Sequence, residues 1–159
     1  MSNALEPGDK APDFALPSDE GGDIRLTDLK GRNVVLYFYP KDDTTGCTSE
    51  AKAFSAAKAE FDAAGTVVIG VSKDSVKSHG KFRQKHELSV RLASDVEGDV
   101  VQRYGVWVEK SMYGRKYMGI ERATFLIDGS GVIRRVWRKV SVTGHADEVL
   151  DAALGLPAN

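Results

Sequence analysis

The sequence predicts an α/β fold, a central mixed β-sheet flanked by helices in three layers, and three observations carry that expectation. Asn33 to Tyr39 (NVVLYFY) is a β-branched and aromatic run bounded by Gly31 and Pro40, the composition of a strand buried on both faces. Thr66 to Ser72 (TVVIGVS) is a second such run, and the Ala-rich stretch between them makes a βαβ unit, normally right-handed and parallel. Near the other end, Ala123 to Asp128 and Val132 to Lys139 flank Asp128-Gly129-Ser130-Gly131, a hairpin signal that adds antiparallel pairing.

The elements between follow from spacing. From Cys47 to Ala64, Ala51, Phe54, Ala57 and Phe61 recur every three to four residues, and Gly65 is placed to stop the helix. Ser75 can cap a second helix running to about His86, weakened by Gly80 inside it. Val90 to Ser94 reads as a short strand and Asp99 to Tyr104 as a short helix. Val106 to Ile120, with two glycines and mixed charge, reads as a long loop. Gly144 opens a last helix whose apolar side is Ala146, Val149, Leu150, Ala153 and Leu154. With 159 residues, no internal repeat and no Pro/Ser/Gly-rich linker, one domain over residues 1–159 is expected.

Composition narrows the classes of function. The 22 basic residues balance 23 acidic ones, so no bulk field draws the chain to nucleic acid or an anionic membrane. The basic strand Arg134, Arg135, Arg138 and Lys139 then reads as a solvated hairpin face. The longest charge-free apolar runs, Asn33 to Pro40 and Ala63 to Ser72, are no more than half the ~20 residues a membrane span needs. The N-terminal MSNALEPGDKAPDF lacks a basic region followed by an apolar one, which makes the cytoplasm the expected compartment. His79, His86 and His145 have no metal-ligand spacing and are expected to face solvent or cap helices, so no metal site is predicted.

Chemistry centres on Cys47, the one cysteine, which excludes an intrachain disulfide. It lies where the first strand has ended and the first long helix begins, after Thr44-Thr45-Gly46. Free N–H groups and the positive dipole end of a helix favour a thiolate over a thiol there. The alternative is a cysteine that only packs. Thr44, three residues before the sulfur, takes the place of the first cysteine in a Cys-x-x-Cys turn, and its hydroxyl can hold an oxygen-containing molecule over the sulfur. A cysteine hydrolase using His145 as base, or a binding module with a structural Cys47, are the rival classes.

The run VVLYFYPKDDTTGCTSEAKAF, Val34 to Phe54, resembles the active-site segment of the peroxiredoxins, most closely their Q or bacterioferritin-comigratory-protein subfamily. Pro40, Thr44 and Cys47 stand in that family's Pro-x-x-x-Thr-x-x-Cys pattern. The likeness continues in GVSKDSVKSHGKF, EKSMYGRKYMGIERATFLID and VWRKVSVTGHADEVLDAAL, and so covers nearly the whole chain. It implies a thioredoxin-like fold and a cofactor-free peroxidase acting on hydrogen peroxide and organic hydroperoxides, with Cys47 as the peroxidatic thiol and Arg122 as the active-site arginine. It implies recycling by thioredoxin, glutaredoxin or a small thiol, and a monomer or weak homodimer.

Ionising a thiol of ordinary acidity (pKa ~8.5) raises the thiolate at neutral pH only about 30-fold, so most of the acceleration must come from stabilising charge that moves onto the leaving oxygen. Arg122 suits that task with a permanently charged planar fork. Thr44 can accept the peroxide proton, the Gly46 and Cys47 amides can complete the cradle, and Pro40 can cover the sulfur and limit water. Glu50, in the first turn of the helix, orients Arg122 or is simply a carboxylate favoured by the dipole. Many members of the subfamily carry a second, resolving cysteine five residues after the first or in the next helix. Lys52 and Arg83 occupy those places, so the chain resembles a one-cysteine variant whose sulfenic acid needs an external thiol or a second chain.

Overall fold

The computed structural model describes residues 4–156. Two three-residue strands, β1 (Ala15–Pro17) and β2 (Asp23–Arg25), pair antiparallel ahead of a 3-10 turn at Leu26–Leu29. The chain then runs through β3 (Asn33–Phe38), α1 (Thr45–Ala56), α2 (Lys58–Ala63), β4 (Thr66–Ser72), α3 (Val76–His86), β5 (Arg91–Ser94) and α4 (Asp99–Arg103). It continues with β6 (Trp107–Met112), β7 (Arg115–Ile120), β8 (Ala123–Ile127), β9 (Ile133–Trp137) and α5 (His145–Leu154).

The main sheet has the order β5-β4-β3-β8-β9, with β3, β4 and β5 parallel and β8 and β9 antiparallel to their neighbours. This is the mixed sheet the sequence predicts. Every residue of β3 is buried because both faces of the sheet are covered. Val34, Leu36 and Phe38 join one apolar cluster with Phe14, Ile24 and Tyr104, beneath the N-terminal hairpin and α4. Val35, Tyr37 and Tyr39 join the other, with Cys47, Phe54, Phe61, Phe82 and Val149 from α1, α2, α3 and α5. The two clusters and the sheet between them make the three layers.

Gly70 shows how tightly the second cluster is packed. It is the register partner of Tyr37, and a Cβ there would lie 2.6 Å from Cζ of the Tyr37 ring, which stacks on Phe54 at 4.7 Å between centroids. Ser75 caps α3 as expected, its side chain accepting from Ser78 N–H at 3.1 Å, and Gly144 stands before α5.

Three expectations need correction. The helix from Cys47 to Ala64 is two helices with a break at Ala57, where no glycine or proline marks it. Val106 to Ile120 is no loop, since β6 and β7 pair over their full length around a Tyr113-Gly114 turn. Both turn residues have positive φ, 51° and 76°, the backbone of a two-residue hairpin. Of the histidines expected to face solvent or cap helices, His79 is fully enclosed and His145 is 5% exposed. His86 is partly buried and pairs with Asp43 at 2.7 Å.

Candidate active site

Cys47 lies in the first turn of α1, two residues after its first helical residue, and is 2% exposed. Thr44 is the N-cap, its carbonyl accepting from Thr48 N–H at 2.8 Å. The early amides of Gly46 and Cys47 are therefore among the N–H groups that a helix start leaves without intrahelical partners. The Thr44 hydroxyl donates to the Lys41 carbonyl at 2.9 Å, and this donation leaves the hydroxyl oxygen free to accept. Pro40 is exposed, one residue past buried Tyr39 at the end of the β3 run.

Arg122 arrives from far along the chain through sheet register. Phe38 pairs with Ala123, so the first residue of β8 stands beside the last of β3 and Arg122 stands level with the segment leading to Pro40 and α1. A slip of one residue would turn Arg122 to the opposite face. Its Nη2 donates to the Cys47 Sγ at 3.3 Å, and its Nη1 to the Glu50 Oε1 at 2.7 Å. Burial alone would lower the Arg122 pKa, but Glu50 and Cys47 raise it overall, so the guanidinium stays charged.

Glu50 is one turn beyond Cys47 and 1% exposed. Burial pushes its carboxyl up to about 7, opposed by Arg122, and its second oxygen, Oε2, has no hydrogen-bond partner. Below it, the fully buried Tyr37 hydroxyl is also without a partner, and burial followed by the charges of Glu50 and Cys47 pushes its pKa well up. The site floor thus holds buried polar atoms that no described residue bonds.

Gly46 has a reason the sequence did not show: a Cβ there would lie 3.2 Å from Arg122 Nη2. The absent side chain lets the guanidinium settle over the helix start. Cys47, Glu50, Gly46 and Arg122 therefore meet within hydrogen-bond or van der Waals reach.

His145 does not join them. Its Nε2 contacts the Thr124 hydroxyl at 2.8 Å, and burial lowers its pKa, so the pairing with Cys47 that a hydrolase would need is absent.

A second polar cluster escaped sequence reasoning. Asp42, Asp74 and His79 bring ligand-type atoms within 4.8 Å of one another. Asp42 accepts from the Tyr39 hydroxyl at 2.6 Å and the Ser78 hydroxyl at 2.8 Å, and lies 2.7 Å from His79 Nδ1. His79 Nε2 faces the Ala93 carbonyl at 3.1 Å, and Asp74 accepts from the Asp42 N–H and the Ser72 hydroxyl. Both ring nitrogens lie within hydrogen-bond distance of oxygens, so the ring is held at each end. Their mutual bonds fasten the Asp42-Asp43-Thr44 turn, with Asp43 at φ 59°, to α3 and thereby support the start of α1. Spacing in sequence could not reveal this, because residue 42 and residue 79 meet only across the sheet edge.

Residues 7–136 match the family model described as AhpC/TSA family. The chain belongs to the AhpC/TSA family. A "Putative peroxiredoxin bcp" of Coxiella burnetii is 55% identical over 147 residues, which cover 92% of this chain and 97% of that protein. A cysteine-to-serine mutant of PrxQ from Xylella fastidiosa superposes with a TM-score of 0.90 at 37% identity, covering 95% and 96% of the two chains. Peroxiredoxin Q of Xanthomonas campestris superposes with a TM-score of 0.84 at 45% identity, covering 87% of this chain and 88% of the other. The mixed sheet and flanking helices of this AhpC/TSA chain are those of thioredoxin-fold peroxiredoxins, and its sequence places it with the Q/Bcp relatives. The two cysteine-to-serine mutants of the Xanthomonas protein replace positions as far apart in sequence as Cys47 and Arg83 are here. Arg83 is not a vacant substitute: its guanidinium bonds Asp19 at 2.5 Å, the Leu88 carbonyl at 2.8 Å and the Val90 carbonyl at 2.7 Å.

Proposed function

We propose that Cys47 is the peroxidatic nucleophile of a thiol-dependent peroxidase that reduces hydrogen peroxide and organic hydroperoxides. The observation that carries the reading is the 3.3 Å contact between Cys47 Sγ and Arg122 Nη2 at the start of α1. Relatives named peroxiredoxin Bcp, and a related structure titled for alkyl peroxide reduction by the Xanthomonas campestris protein, support it.

In the reaction the Cys47 thiolate attacks the terminal oxygen of ROOH. An S–O bond forms as the O–O bond breaks, sulfur is oxidised to the sulfenic acid, and RO⁻ leaves to take up a proton as ROH. Arg122 supplies donors where negative charge spreads from sulfur to the leaving oxygen. Thr44, donating to Lys41, accepts a hydrogen bond from the peroxide O–H, whose hydrogen stays with the oxygen passed to sulfur, while the Gly46 and Cys47 amides cradle the oxygens. Glu50 holds the Arg122 fork in place through Nη1. Pro40, exposed just past the buried β3 run, covers the sulfur in this reading and limits water.

With Arg83 and Lys52 where resolving cysteines stand in relatives, the sulfenic acid is reduced by an external thiol: thioredoxin, glutaredoxin or a small thiol. A monomer or weak homodimer working in the cytoplasm fits this cycle. No helix among the described residues is long and apolar enough to cross a membrane. Peroxide consumption with dithiothreitol as reductant tests the reading. The wild type turns over and Cys47→Ser does not; equal rates for the two would end it.

A further inference from the structure

The β6–β7 hairpin carries one cation that the mechanism above does not use. Lys110 is paired across the hairpin with Tyr117, while Gly119 lies two residues nearer to Arg122 along β7. A Cβ on Gly119 would meet the Lys110 Cδ at 3.2 Å and Cε at 3.5 Å. The lysine stem therefore leans past its own partner and lies across Gly119, in the direction in which β7 runs through Ile120 and Glu121 to Arg122. Backbone pairing continues to that point, with Glu121 N–H donating to the Val106 carbonyl at 2.7 Å, so the lean has a fixed track.

Its ammonium has no carboxylate within 4.0 Å among the described residues, although the hairpin offers Glu109 and the link offers Glu121. Those acids go to Lys116 at 3.8 Å and Arg138 at 3.7 Å. Lys110 is half-buried, and its pKa is lowered by burial and then by the like charge of Arg122, while the charges of Cys47 and Glu121 act the other way. The ammonium thus lies within the electrostatic reach of the sulfur and of the guanidinium, and no carboxylate within 4.0 Å among the described residues holds it in a close ion pair. A half-buried cation without a counter-ion is a site for an anion.

We infer that Lys110, carried across Gly119 toward Arg122, is a specificity-determining residue that draws anionic reactants to Cys47, above all organic hydroperoxides bearing a carboxylate. The inference rests on the peroxidase reading for its substrate, but its electrostatic core can be read without turnover. Cys47 is the sole cysteine, so alkylation reports on that sulfur alone. The rate with anionic iodoacetate divided by the rate with neutral iodoacetamide measures the positive potential that an incoming reagent meets.

Replacing Lys110 by Met keeps the stem and removes the charge. We expect that ratio to fall about three- to tenfold in Lys110→Met, to stay within about twofold of wild type in Lys110→Arg, and to converge among all three at 1 M salt. The preference for a carboxylated hydroperoxide over a neutral one of similar size, taken as a ratio of kcat/KM values, should fall by a similar factor. An unchanged alkylation ratio in Lys110→Met, or a fall shared by Lys110→Arg, overturns the inference. Loss of peroxide turnover in the wild type would end the peroxidase reading while the alkylation ratio still decides the role of Lys110.

Discussion

Glu50→Gln isolates the most strained ionisation in the site. The Glu50 carboxyl is pushed from 4.5 to about 7 by burial, with Arg122 opposing. At about 1.4 kcal/mol per pH unit this corresponds to roughly 3 kcal/mol, and with 1% exposure solvent screening removes little of it. The sign follows from proton counting. Between pH 4.5 and 7 the folded chain holds a proton at Glu50 that the unfolded chain has released, so stability attributable to this group falls as pH rises through that window. Below it both states are protonated and above it both are ionised, so the loss is complete by about pH 7.5. Glutamine keeps the shape and cannot ionise. Urea unfolding of both proteins at pH 5 and pH 7.5 should therefore show the wild type losing about 2.4 kcal/mol relative to Glu50→Gln, the rest having gone below pH 5. The peroxide kcat/KM profile of the wild type should also carry an inflection near pH 7 that the variant lacks, because ionised Glu50 shares the Arg122 charge with the sulfur. Parallel stability curves and superimposable rate profiles would refute the assignment of a dry, strained carboxyl.

Gly46→Ala places a Cβ 3.2 Å from Arg122 Nη2, so the guanidinium must give by a few tenths of an ångström against the sulfur. Stopped-flow oxidation by hydrogen peroxide should slow by up to about tenfold, with urea stability changed by less than about 1 kcal/mol. His79→Ala leaves the buried Asp42 carboxyl without its 2.7 Å hydrogen-bond partner, which should cost about 1–3 kcal/mol in urea unfolding. The same variant should raise hydrogen exchange in the turn ahead of α1, and unchanged protection there would disconnect the cluster from the active site.

Much of the site was legible because it follows local rules. A strand buried on both faces leaves a composition that cannot be mistaken, and β3 is buried at each of its positions. A cysteine in the first turn of a helix after Pro40 and Thr44 needs only one strand end and one helix start to place it. What stayed hidden depends on contacts distant in sequence or on the lack of a buried face. The β6–β7 hairpin was read as a loop because most of its residues are exposed on both sides, so no alternation of polar and apolar residues marks it. Its Tyr113-Gly114 turn lacks the Asn or Asp that usually signals two positive φ values. The burial of His79, expected to face solvent or cap a helix, stays hidden because its partner, Asp42, lies two helices and a strand away along the chain.

That same division explains why the reactive geometry is built across β3 and β8 rather than within one segment. A helix start supplies free N–H groups and a dipole, but both belong to the backbone and end within the first turn. In the proposed reaction, charge developing on a leaving oxygen beyond the sulfur needs a donor from outside the helix. Antiparallel pairing of Phe38 with Ala123 delivers it, since the residue before β8 must emerge beside the chain that leaves β3 for α1. The guanidinium then needs room over the helix, which Gly46 provides, and a tether on the buried side, which Glu50 provides. Each of these features costs stability: a buried carboxyl raised to about 7, a phenol and a carboxyl oxygen without partners, and a glycine in the first turn of a helix. Two apolar clusters pressed against a five-stranded sheet offset that cost, so the site is destabilised beyond the C-terminal end of the central strand β3 and not in the core that holds its register.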